Sequence, residues 1–322
     1  MAVRPAESSP YTDSRKTILA RIWERTKQGI SVRFLGIRVF LKLRRATPLA
    51  TNRWLLLRKR LARWVAGERT AAVLDASNPF RNSRVSTPIT GVAVVVGVGD
   101  GLGTSLVRHL SDSGMVVAAL ARDRKNLAAL MEAKGWSPNR VKLYASDATH
   151  QASFENTSEC VRSDLGAPNL VIYLVDSAKW ALSVDIEPNA LEDSWRANCL
   201  GAFIVARASA RLMTSRGSGT IIFAGATSAI IGRPGYLALA TGKFSLRGLA
   251  QVFARELWPR GIHVAHVLID GGSFYFGQER DEPGTDPDAA AKTFLMLHGQ
   301  AKNAWTHELD LRPWNESFWK HC

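Results

Sequence analysis

The chain has 322 residues and a mass of 35.3 kDa, room for one large domain or two small ones. With 46% hydrophobic and 22% charged residues it can bury a sizeable core, which excludes wholesale disorder. Its net charge of +14 is N-terminal: residues 1–90 hold 19 Lys/Arg against 5 Asp/Glu, whereas residues 91–322 hold 23 of each, so the basic pI does not implicate the body in nucleic-acid binding.

From Ser14 to Val65 the sequence predicts a mostly helical, basic extension. Trp54, Leu57, Leu61, Trp64 and Val65 share one helical face, with Arg58, Lys59, Arg60 and Arg63 largely on others. Such a helix can make peripheral contact with an anionic membrane through residues 14–65, or serve as a mitochondrial address. A solvated tail, or upstream codons read from a misplaced start, are the plainer readings. No zinc ligand set or helix-turn-helix pattern accompanies the charge, so nucleic acid is not an expected partner. The turn-rich stretch Asp75–Pro88 reads as a linker, giving a basic extension over 1–88 and a folded domain over 89–322.

The texture changes at Gly91. Val92–Val96 is a continuous β-branched run, as expected of a strand buried on both faces. It leads into Gly97-Val-Gly-Asp-Gly101-Leu102-Gly103 and a helix predicted over Thr104–Gly114. Glycines at a strand-to-helix turn let backbone approach a pyrophosphate, which the N–H groups and dipole of the helix start then stabilise. A second strand, Met115–Leu120, follows at βαβ spacing and ends at Arg122, with Arg124 and Lys125 behind it. A guanidinium there suits a ribose 2′-phosphate where an acidic residue would suit a free hydroxyl, so NADP is favoured over NAD.

Further strands are predicted at Val141–Ala145, Leu170–Val175, Thr220–Ala224, Ile262–Ile269 and Glu308–Leu311, with long helices at Leu191–Met213 and Tyr236–Leu257. This alternation specifies an α/β, doubly wound parallel sheet of Rossmann type. The longest uncharged run, Gly217–Gly232, has 16 residues and falls short of a membrane span. Cys160, Cys199 and Cys322 are too few and too scattered for a disulfide framework or a paired-cysteine zinc site, which suits a reducing compartment and a cytoplasmic location, the mitochondrial and membrane-associated alternatives resting on the extension. His263 and His266 alternate sides in a strand and are expected in the core or an interface. Around His307, Glu308 and Asp310 a strand with a salt-bridged arginine is preferred to a metal cluster. Gly-x-Ser-x-Gly is absent, so no hydrolase elbow is expected.

Over residues 89–322 these features resemble the short-chain dehydrogenase/reductase family. Gly97, Gly101 and Gly103 match its glycine spacing, with Leu102 between the last two. The resemblance implies that Asp147 lies at the adenine, that Asn198 is the catalytic-helix asparagine, and that Lys243 is the active-site lysine bonded to the cofactor ribose. It further implies a small-molecule or acyl substrate and a homo-oligomer built on the helices at Leu191–Met213 and Tyr236–Leu257.

The departures are as informative. The family's tyrosine, four residues before the lysine, is Leu239 here, and its usual serine falls on Ala226, with Thr227 and Ser228 beside it. Leu174-Val-Asp176 stands where the family has Asn-Ala-Gly, and Asp270-Gly-Gly272 where it has Pro-Gly. Tyr236 lies seven residues before Lys243, nearly two helical turns, and so on the same face about 10 Å away. That Tyr-x6-Lys spacing is similar to the enoyl-acyl-carrier reductase branch and offers Tyr236 as the acid, with Lys243 lowering its pKa, Asn198 linking Lys243 to solvent and Thr227 as a second hydroxyl. Trp180, Phe274, Tyr275 and Phe276 are expected to line the substrate pocket. The expected activity is NADP(H)-dependent oxidoreduction of a carbonyl or activated alkene. The alternative, motivated by Leu239, is a nucleotide-binding sensor or scaffold without catalysis.

Overall fold

The computed structural model describes residues 90–270 and 284–314, all within the unit Val85–Cys322. The extension predicted over 1–88 and the aromatic residues Phe274, Tyr275 and Phe276 lie outside them. In chain order the elements are β1 (Val92–Val96), α1 (Leu102–Asp112), β2 (Val116–Ala121), α2 (Arg124–Ala133), β3 (Val141–Ala145), α3 (Gln151–Leu165) and β4 (Leu170–Tyr173). Then come α4 (Pro188–Trp195), a π-helical turn (Arg196–Leu200), α5 (Gly201–Thr214), β5 (Gly219–Ala226), a 3-10 turn (Thr227–Ala229), α6 (Leu237–Leu257), β6 (Ile262–Ile269), α7 (Pro287–His298) and β7 (Glu308–Leu311).

The strands form one seven-stranded sheet in the order β3-β2-β1-β4-β5-β6-β7, every pair parallel. The run Val92–Val96 explains its central place. Ala93 and Val95 pack beneath α1, α2 and α7, whereas Val92, Val94 and Val96 join the core under α3, α5 and α6. A strand apolar on every residue can sit only where both faces are covered, which is the doubly wound arrangement.

Four of the expected strands have the predicted bounds: β1, β3, β6 and β7. β4 ends two residues early, at Tyr173, although Leu174 still donates to the Val96 carbonyl at 2.8 Å. The helix predicted over Leu191–Met213 is interrupted by the π turn, and Tyr236 is the N-cap of α6 rather than a residue within it, with φ −107° and ψ 17°. The same-face argument for Tyr236 and Lys243 therefore does not hold as an in-helix rotation.

β6 carries two histidines into the core. His263 is 1% and His266 0% exposed, and the former stacks on Trp305 with ring centroids 5.0 Å apart. At the sheet edge Arg247 makes a two-point pair with Glu308, and Arg312 pairs with Asp310 at 2.7 Å, so the strand is laced by arginines as expected. Among the described residues no group of His, Cys, Asp and Glu is arranged to hold a metal ion.

Burial holds the imidazole of His266 down to about 4, Glu308 opposing it, and burial does the same at His298. Both folded-state values lie below the unfolded value of 6.5, so between these limits the unfolded chain binds more protons than the folded one. Stability is complete above the unfolded value and falls as pH drops, by about 1 kcal/mol per pH unit for each histidine. Calorimetric Tm should therefore fall by several degrees from pH 7 to pH 5; a flat Tm over that range contradicts neutral burial of these rings.

Candidate active site

The glycine turn is held against the ends of β2 and β4. Gly97 has φ 92°, and a Cβ there would lie 2.8 Å from the Val175 backbone nitrogen. Gly97 and Val98 both donate to the Leu120 carbonyl, at 2.9 and 3.0 Å. Gly101, with φ 94°, is the N-cap of α1, and no side chain caps that helix. A Cβ on Gly103 would meet the Val98 Cα at 3.1 Å, so glycine lets α1 come this close to the turn without displacing it. Leu102 is buried beneath it. A helix N-terminus with no side-chain cap behind a glycine-rich turn fits a dinucleotide pyrophosphate.

Two flanking residues stand at successive strand ends. Arg122 is exposed one residue past β2, where the adenosine ribose of a dinucleotide in this turn would lie. Asp147, just past β3, has its Oδ1 held by the Thr149 amide at 2.9 Å and hydroxyl at 2.7 Å, which fixes the carboxylate at the rim.

Lys243 lies deeper, on α6. Its side chain is 3% exposed, with Nζ 3.0 Å from Asp176 Oδ1 and donating to the Ala224 carbonyl at 3.2 Å. α6 reaches this depth because Gly242 abuts the π turn: a Cβ there would be 2.7 Å from that of Asn198. Asn198, fully buried, donates to the carbonyls of Ser177 at 2.7 Å and Ser194 at 2.9 Å. Its Oδ1 has no partner among the described residues. The extra residue in the π turn shifts helical backbone bonds locally and lets this asparagine bond to the loop after β4. Tyr173 braces the same turn, donating to the Ala197 carbonyl at 2.5 Å. Burial pushes its phenol well above the ordinary range, so it is a brace and not an acid. Sequence reasoning misses Tyr173, which reads only as a residue of the strand at Leu170–Val175, and assigns Asp176 no role, its one signal being that it departs from the small residue expected there.

Tyr236, at the start of α6, is half-buried, its ring edge-on to Trp180 with centroids 4.1 Å apart. A bridge between Ala181 and Tyr236 ties the loop after β4 to the start of α6. Leu239, one turn on, is 5% exposed. Thr227 is buried and its hydroxyl is occupied: it donates to Asp270 Oδ2 at 3.0 Å and accepts from Arg312 Nη1 at 2.9 Å. Arg312 also pairs with that Asp270 oxygen at 3.1 Å. The structure thus gathers Gly97, Gly101, Gly103, Asn198, Lys243, Tyr236 and Thr227 toward the carboxyl ends of the central strands, with Arg122 and Asp147 at the outer end.

A model of short chain dehydrogenases matches residues 91–271. L-2,3-butanediol dehydrogenase of Corynebacterium glutamicum is 27% identical over 183 residues, 56% of this chain and 70% of that protein. Carbonyl reductase [NADPH] 2 of Sus scrofa is 31% identical over 180 residues, 54% of this chain and 69% of the reductase. Among solved structures, a short-chain dehydrogenase from Rhodopseudomonas palustris is 30% identical, with a TM-score of 0.61 over 70% of this chain and 99% of its own.

The glycine turn yields a direct test. Gly97→Ala combines positive φ with a backbone collision and should destabilise the domain by about 2 kcal/mol or more and abolish dinucleotide binding. Gly99, around which nothing lies within 4 Å, should accept alanine with little change. Urea midpoints and fluorescence titration with NADPH check both; equal behaviour of the two variants contradicts the tight turn.

Proposed function

Since the chain belongs to the short-chain dehydrogenase family and is an NAD(P)-dependent oxidoreductase, we propose that it uses NADP(H) to reduce, or reversibly oxidise, a carbonyl or activated alkene in a small or acyl substrate. The observation carrying this reading is a buried, ion-paired lysine at the carboxyl ends of the strands that hold the glycine-rich turn, on a helix whose N-cap is a half-buried tyrosine. Arg122, exposed past β2, supports the phosphorylated cofactor.

Gly97, Gly101, Leu102 and Gly103 would hold the pyrophosphate, Arg122 the 2′-phosphate, Asp147 the adenine and Lys243 the nicotinamide ribose. When bound, the dinucleotide supplies or accepts the hydride. Charge then develops on the substrate oxygen, and the Tyr236 phenol donates its proton to that oxygen in the reductive direction. Asn198, whose Oδ1 has no partner among the described residues while its amide is anchored on the Ser177 and Ser194 carbonyls, would link Lys243 to solvent through a water held at that oxygen. Thr227 contributes by orienting the Asp270–Arg312 pair, since its single hydrogen is directed at Asp270.

Steady-state assays with NADPH against a panel of ketones and enones test the proposal. Tyr236→Phe should lower kcat about a hundredfold and leave NADPH binding intact, while Arg122→Ala should raise the KM for NADPH about tenfold and leave that for NADH unchanged. Full activity of Tyr236→Phe removes the acid, and NADPH binding without turnover on any substrate class favours the sensor reading.

A homo-oligomer is part of the same proposal. Phe203 on α5 and Phe244 and Val252 on α6 are 40%, 46% and 52% exposed on helices whose inner faces fill the core. Apolar side chains clustered outside a core mark a surface that a partner covers. Sedimentation velocity should give a dimer or larger, reduced by Phe244→Glu; a monomer at micromolar concentration contradicts it.

A further inference from the structure

In an open parallel sheet the ligand crevice forms at the carboxyl ends of the strands, where the chain order reverses. Here that point lies between β1 and β4. Asp176 stands in it, one residue past Val175, whose backbone nitrogen abuts the Gly97 turn. Its carboxylate is 3.0 Å from Lys243 Nζ and its side chain is 15% exposed against 3% for the lysine. Its Oδ1 is buried, and among the described residues its ion-pair partner is Lys243. The carboxylate is therefore charge-compensated by the lysine, where α6, β5 and the end of β4 converge on the cradle.

We infer that Asp176 is a cofactor-site residue that cancels the Lys243 charge and so favours the oxidised, cationic nicotinamide over the neutral reduced ring. This rests on the dinucleotide reading above. A lone buried ammonium beside the ring repels a cationic nicotinamide and is indifferent to a neutral one. An ion pair removes that repulsion, and a carboxylate left alone would reverse it. Asp176 does no chemistry in this account. It sets the electrostatic preference of the pocket between the two redox forms of its cofactor.

The experiment is a charge series read by binding, with no substrate present. Dissociation constants for NADP+ and NADPH, or for the NAD pair if the chain prefers it, are measured for the unmodified chain, Asp176→Asn and Lys243→Gln. The adenosine half alone, as 2′,5′-ADP or 5′-ADP, serves as the control ligand. Relative to the unmodified chain, Asp176→Asn should shift the affinity ratio about tenfold toward the reduced form, and Lys243→Gln should shift it similarly toward the oxidised form. Binding of the adenosine half should stay constant throughout. If either variant fails to fold, the other still fixes the sign of the effect. A ratio that stays flat, or moves the opposite way, while the adenosine half binds normally overturns the role of Asp176 alone. An unmodified chain that binds neither dinucleotide nor its adenosine half overturns the cofactor reading itself, and this inference with it.

Discussion

An ammonium group at 3% exposure is tolerated in a protein only where an opposite charge and fixed dipoles replace the water it has lost. Lys243 meets both needs, through Asp176 and the Ala224 carbonyl. That pairing links three elements distant in sequence: the second long helix, the fifth strand and the loop leaving the fourth. Removing one partner alone would strand a charge in the interior, so the two residues hold the base of the crevice together as a unit.

The rest of the crevice is organised around that anchor by close backbone approaches. Gly242 brings α6 against Asn198, the π turn lets Asn198 bond to Ser177 and Ser194, and Tyr173 braces the turn from the sheet below. Asp270, Arg312 and Thr227 form a second compensated cluster where β5, β6 and β7 end. Two ion pairs thus stand past the carboxyl ends of the strands from β4 to β7, and Tyr236 caps the helix that carries Lys243.

Much of this architecture is legible in the amino-acid sequence. Runs such as Val92–Val96 and Ile262–Ile269 allow only a strand covered on both faces, and the glycine spacing after the first fixes a turn and helix start. Asn198 and Lys243 are recognisable from the residues around them, and the fold brings both to one place. The π turn is not legible, because helical periodicity over Leu191–Met213 is unbroken and the extra residue is stabilised by tertiary bonds from Tyr173 and Asn198. Tyr236 reads as helical in the sequence because one residue at a helix end is decided by local φ and ψ, which pattern does not encode. Ion pairs such as Lys243–Asp176 and Arg312–Asp270 join residues far apart in sequence, and only the sheet order brings them within reach.

The most direct test of Lys243 as the centre of the site is a crystal structure with bound NADP+. The account predicts Nζ within hydrogen-bonding distance of the nicotinamide ribose, with the Asp176 carboxylate beside the ring and the Tyr236 hydroxyl opening onto its exposed face. A nicotinamide held elsewhere, with the Lys243–Asp176 pair closed off behind unbroken protein packing, would contradict it.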